Sequence, residues 1–385
     1  MSNTCVAIDP NGDTLVILAT KQDPPPSKEP TEPAGTTESP TFIEKHFLCS
    51  QKHLTLASRR ASKLFSSAFK EASKQDDGLY HWNFGDVFDV QAFEVVLKII
   101  HGKTRGVPQN AELDLLSKIA SIVDDLQCYD ALSFCSERWL SSYGGFYRLP
   151  ESMDKTLAQL ILVSFVFANK HMFRRCIQRA ARYTCEGMPT FDLPIRADIP
   201  RRIEESRTEV LQYLVDGLYK VHDDLLQRKL GCSEGCRALL LGSLLQVMTA
   251  ACLYPRPESP FYSLRLDSII SSLRDMQPSM YYSSPASPPA SQFGTSTTPR
   301  TTGGLFGTIT APQPTFAAAA PSGGLFGTRA VTQTSDPFSS APAKNEEAPK
   351  KLVQHSCSLK SFIDPLLLVA ESKIQELKLD DFPQP

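Results

Sequence analysis

Four residues of this 385-residue chain have the types and spacing for metal chemistry. Cys232 and Cys236 stand in a C-x3-C pattern at the opening of an expected helix, a spacing that puts both sulfurs on one helix face. His355 and Cys357 form an H-x-C pair just ahead of a C-terminal helix. If that helix docks on the helix expected over 234–253, two thiolates would meet an imidazole and a third thiolate, a set that zinc takes tetrahedrally. With all four positions filled the ion would be structural. It would clamp the returning C-terminal segment across the intervening sequence. The alternative reading of the same residues is buried free cysteines and a surface histidine.

No other chemistry stands out. The sequence has no G-x-x-x-x-G-K-[ST], no H-E-x-x-H and no G-x-S-x-G. His53, His81, His101, His171 and His222 are scattered, and no spacing pairs them with a carboxylate. The expectation is a chain that is not an enzyme and has no cofactor other than the structural zinc. A formal net charge of −2 gives no argument for nucleic acid or an acidic membrane surface as partner. The ten cysteines do not gather into a disulfide-dense module, and the N-terminus lacks a basic end followed by an apolar run. The longest apolar stretch, 160–168, is far short of the roughly 20 residues that span a bilayer. These features predict an intracellular protein of the cytoplasm or nucleus, not a secreted one.

The elements that would position such residues fall into two blocks. Over 1–143, "VAID" and "TLVILA" read as strands joined as a hairpin at Pro10-Asn11-Gly12-Asp13. A Pro-rich segment about 21–40 reads as a disordered insertion, followed by a strand "TFIEKHFLC". Helices are expected at 51–57, 60–70, 89–101, 112–125 and 129–141, with a strand at 79–84. The second block, 150–275, reads as all-helical. Its helix 170–184 carries Arg174, Arg175, Gln178, Arg179 and Arg182 on a face read as solvated, with a site for an acidic partner as the alternative. Residues 277–350 are rich in Pro, Ser, Thr, Ala and Gly and predict disorder. A last helix within 355–382 is expected to start at Asp364-Pro365 and to pack its stripe Leu366, Val369, Ala370, Lys373, Ile374 and Leu377 back on the helical block.

The stretch "HLTLASRRASKLFSSAF", with His53, Leu56, Ala57, Ser58, Phe65 and Phe69, and the later "AFEVVLKIIHG", with Phe93, Leu97, Ile100, His101 and Gly102, resemble the BTB/POZ domain over roughly residues 5–143. The details look most like the BTB proteins of filamentous fungi, with His101 in place of the usual tyrosine. The resemblance implies an α+β fold: a small, mostly antiparallel sheet with helices, followed here by an all-α domain with a long disordered insertion. Leu54, Leu56, Ala57, Phe65, Phe93, Leu97 and Ile100 are then the domain's structural core, and Phe65 and Phe69, four apart, close it from below.

It also implies protein–protein interaction. One form is self-association, although only Met1–Thr4 precede the first strand and leave no exchange helix of the long dimerising forms. A second is recruitment of a cullin by a substrate adaptor of a ubiquitin ligase. In adaptors a hydrophobic–any–Glu motif follows the second helix, and Phe69-Lys70-Glu71 stands there. A third is a scaffold or transcription-linked protein without cullin binding. In that case the "GGLFGT" repeats at 303–308 and 323–328, which resemble the Phe-Gly repeats of nucleoporins, would contact transport receptors.

Overall fold

The strand Thr14–Lys21 (β2) contains Leu15, Val16, Ile17 and Leu18 in an unbroken run, and all four are buried. A strand apolar on both faces needs a neighbour at each edge and cover above and below. The computed structural model describes residues 4–21, 42–144, 147–277, 282–283, 353–354 and 356–382. In it, β2 pairs antiparallel along its whole length with Phe42–Cys49 (β3) and parallel with Tyr80–Asn83 (β4). Thr4–Ala7 (β1) runs parallel to the far edge of β3, giving the order β1-β3-β2-β4.

The sheet therefore differs from the expected one in two ways. β1 and β2 do not form a hairpin, because β3 lies between them. Asn11-Gly12 marks a turn, but turn chemistry does not say which strands the turn will pair. The chain instead crosses the end of β3. A Cβ on Gly12 would lie 2.5 Å from the Cys49 carbonyl oxygen, so the crossing needs glycine. Asp13 fixes it from both sides: its amide donates to Cys49 O (3.0 Å) and its Oδ1 accepts from Gln51 N (2.8 Å). As a result the sheet is mixed, with two parallel pairings and one antiparallel, and is not mostly antiparallel.

Two short helices follow, Gln51–Ala57 (α1) and Arg59–Phe65 (α2). Ser58 joins them. Its hydroxyl accepts from Ala61 N (3.0 Å) as an N-cap and donates to Leu126 O (2.5 Å). α2 stops at Phe65 and does not run to 70, because Ser67 turns its hydroxyl back onto Leu64 O (2.6 Å), a local bond that competes with the helix ladder. Val90–Ile100 (α3), Leu113–Leu126 (α4) and Tyr129–Ser141 (α5) complete the first block. Asp89 caps α3 by accepting from Ala92 N (2.8 Å).

Lys155–Val166 (α6) is buried nearly all round and packs on α4 and on Lys170–Tyr183 (α7). One apolar core thus runs from the sheet through α4 and α6 into α7. A second is built by Asp198–Leu226 (α8), Glu234–Ala250 (α9), Leu266–Arg274 (α10) and Lys360–Gln375 (α11). α11 begins at Lys360, ahead of the expected Asp364-Pro365 start, and carries Pro365 inside it. Its buried stripe is Ile363, Leu367, Ala370 and Ile374, continued by Leu377, whereas Val369 is exposed. Gly217 of α8 makes room for Leu366, whose side chain lies 2.7 Å from where a Cβ would stand.

The arginine face of α7 is not simply solvated. Arg174 and Gln178 donate to the Gln375 carbonyl at the end of α11 (3.2 and 3.1 Å), and Arg175 donates to the Gly144 and Tyr147 carbonyls. Arg182 of α7 and Arg274 of α10 both reach Glu371 (3.6 and 2.5 Å). The face receives the chain's own C-terminal helix.

Residues 282–355 separate as a second unit. Its described part is an antiparallel pair, Tyr282–Ser283 (β5) with Val353–Gln354 (β6). The expected insertion 21–40, apart from Lys21, and both GGLFGT repeats lie outside the described residues.

Arg207 sits fully buried on the inward stripe of α8. It forms a two-pronged pair with Glu204 (2.6 and 3.0 Å) and donates to the carbonyls of Pro260, Phe261 and Leu264 (3.0, 3.4 and 3.1 Å). Each buried carbonyl left without a donor costs ~1–3 kcal/mol. Arg207→Met is therefore expected to lower the unfolding free energy by about 3 kcal/mol or more. Arg207→Lys should not restore it, because an ammonium cannot reproduce the planar fork. Urea denaturation checks this, and a lysine variant as stable as wild type would contradict it.

Candidate functional site

Two places carry the residues singled out by sequence. The first is the corner made by α1, α2 and the 3-10 turn Lys70–Ala72. Leu54 is fully buried, and Phe93, Leu97 and Ile100 of α3 are buried too. Ala57 and Phe65 are half-buried against the same core, Phe65 meeting Tyr80 and Trp82 edge-on at ring distances of 5.8 and 5.7 Å. Leu56 departs from its expected core role: it is 88% exposed. In a seven-residue helix whose inward residue is Leu54, a side chain two positions on points about 200° round, to the outside. Phe69 departs too. With α2 ended at Phe65 the two phenylalanines do not share a helix face, and Phe69 is 61% exposed. Glu71 stands half-buried on the 3-10 turn.

Leu56 also borders a cleft of about 1020 Å³ shared with His53, Arg59, His101, Tyr129 and Lys170. His101 is not poised as a base there. Its Nε2 accepts from Ser50 N (3.0 Å) and its Nδ1 donates to Leu97 O (2.8 Å), which fixes one neutral tautomer. Burial holds its pKa below the ordinary 6.5. In structural terms the histidine ties the end of α3 to the start of α1.

The second place is the sulfur cluster. The Sγ atoms of Cys232, Cys236 and Cys357 all lie within 4.8 Å of one another. Cys236 is buried in the first turn of α9, Cys357 is half-buried ahead of α11, and Cys232 is exposed. His355, the fourth residue of the expected set, lies outside the described residues. The hydrogen bond between Cys232 and Cys357 pushes the Cys232 thiol up to about 11 and draws Cys357 below the ordinary thiol value. By contrast, burial is the main cause that pushes Cys128 and Cys176 up to about 12, which makes them inert core residues.

Arg207 and the outward turn of Leu56 escaped the sequence reading. A signal existed for Arg207, since it falls on the stripe Ile203, Val210, Leu211 and Leu214 where a charge is out of place. Nothing local marks Leu56, because in so short a helix either of two leucines can take the inward position.

No protein-family model matches this sequence, and no curated protein matches it. Among the described residues no helix is long and apolar enough to cross a membrane.

Two measurements follow from this geometry. Leu54→Ala should cost about 2–5 kcal/mol, as other buried leucine truncations do. Leu56→Ser should stay within about 0.5 kcal/mol of wild type. Equal losses on chemical denaturation would put Leu56 in the core.

The second concerns His101. Its folded pKa is depressed, so the unfolded chain binds the extra proton first. The stability it contributes is complete above about 6.5 and is lost as pH falls below that value toward the depressed one. Thermal melts taken from about pH 7 to about pH 5 should show a decline that His101→Gln makes shallower; an unchanged slope in the variant would contradict the assignment.

Proposed function

We propose that roughly residues 5–143 form a protein-interaction module of the BTB/POZ type and that the chain acts without catalysis, as a substrate adaptor for a cullin-RING ubiquitin ligase. The element order β-β-β-α-α-β-α-α-α supports the first part, as does the burial of Leu54, Phe93, Leu97 and Ile100 on the helices that carry the resemblance. The single observation that carries the second part is Phe69. It is a large aromatic side chain, 61% exposed, held beyond the end of α2 with Glu71 two residues on. An aromatic kept in water beside a carboxylate matches the make-up of interaction hot spots, where aromatic anchors supply most of the energy and a charge fixes register. Leu56 of α1 is a second large apolar side chain left in water, 88% exposed. The locked tautomer of His101 agrees with a docking role for the corner, since it uses the histidine to hold α1 to α3.

Affinity purification of the full chain with mass spectrometry, run beside a Phe69→Ala/Glu71→Ala double variant, tests the proposal. A cullin and its RING partner are expected with wild type. The double variant is expected to lose them, with purified components weakening by about thirtyfold, ~2 kcal/mol. Recovery of the same cullin by both proteins would remove the face from the proposal. Recovery of no cullin by either would end the adaptor reading and leave the co-purified proteins to define a scaffold.

A further inference from the structure

We propose that Cys232, Cys236 and Cys357 form a thiolate site for a soft divalent metal, zinc, which clamps the chain's C-terminal segment to the start of α9. The three sulfurs lie within 4.8 Å of one another. Thiolates around a tetrahedral zinc at ~2.3 Å stand about 3.8 Å apart, so a contraction of the trio within side-chain reach completes three vertices.

The cluster is held by structure that does not depend on the ion. Gly231, at φ +85°, turns the chain into Cys232, and the next residue caps α9: Ser233 Oγ accepts from Cys236 N (3.2 Å). That cap fixes the C-x3-C segment with Cys236 in the first turn of the helix. On the other side, Leu359 and Ile363 are buried in the same apolar core as Cys236 and Leu240, which anchors the segment that presents Cys357. Two segments far apart in sequence are thus brought together by packing, and their thiols converge at the junction.

The surroundings suit the charge. The first-turn N–H groups and dipole of the 17-residue α9 favour negative ligands at its N-terminus, which offsets the excess charge of three thiolates on a divalent ion. Thiolates select zinc over the hard cations magnesium and calcium. Burial is graded from Cys236, buried, through Cys357 to Cys232, exposed, which leaves an entry path on one side. Nothing in the proposed docking function requires this site, and it stands apart from the Leu56–Phe69 corner in sequence and chemistry.

The experiment uses the full chain purified under reducing conditions. Bound zinc is measured by elemental mass spectrometry after desalting. Cobalt(II) is then added to metal-stripped protein and its absorption recorded. One zinc per chain is expected, with thiolate-to-cobalt charge transfer and the intense visible bands of a tetrahedral ion. Cys232→Ser, at an exposed position that folding tolerates, and Cys357→Ser should each weaken binding by more than the about tenfold that loss of an outer-shell group costs. Cys252→Ser, another exposed cysteine, should change nothing. Removing zinc from wild type should speed amide exchange at the start of α11. The proposal is overturned by an ion lost on desalting, by metal retained in both ligand variants, or by a metal-free disulfide between two of the three sulfurs.

Discussion

The pairing of β3 with β2 is the constraint from which the rest of the fold follows. β2 is buried on both faces and needs a strand at each edge, and β3 supplies one edge over eight residues while its own far edge takes β1. Because β3 ends at Cys49 and passes directly through Ser50 into α1, its register fixes where that helix starts. Ser50 donates to His101 and Gln51 to Asp13, so the same corner locks onto the end of α3 and onto the β1–β2 crossing. The α1–α2 face, with Leu56 outward and Phe69 beyond it, is a consequence of that register. Changing the pairing by one residue would turn Phe47 away from the core.

A second set of interactions closes the far end. α11 brings four buried apolar residues to the α8–α10 layer, but the polar contacts give it its position. Glu371 is gripped by Arg182 and Arg274, and the carbonyl at Gln375 accepts from Arg174 and Gln178. Beyond the helix, Leu377, Leu379 and Phe382 reach the core that begins at the sheet, with Phe382 edge-on to Phe173 at 5.4 Å. The C-terminal segment therefore bridges both apolar cores, and the thiol cluster lies at the point where it enters.

Helices of the chain were legible in the sequence where the amphipathic period was clear. The helix expected at 89–101 forms as Val90–Ile100, with Asp89 accepting the Ala92 amide, and the one expected at 112–125 forms as Leu113–Leu126. Of the expected four-residue set the structure brings Cys232, Cys236 and Cys357 together, and His355 lies outside the described residues. Legibility failed where the answer depended on distant partners. Asn11-Gly12 specifies a turn, while the choice of β3 as the neighbour of β1 rests on packing around β2. The cationic residues of α7 look solvated until α11 arrives with Glu371. Phe69 looked like a core residue because the spacing rule assumed a helix that Ser66 and Ser67 end.

The central claim is that the corner from Leu56 to Glu71 is a face built to be covered by another protein. Amide hydrogen exchange on the full chain, alone and within the assembly it co-purifies with, tests this most directly. The account predicts slowed exchange concentrated at residues 55–72, with α8 to α10 little changed. Unchanged exchange at 55–72, with protection confined to other elements, would contradict it.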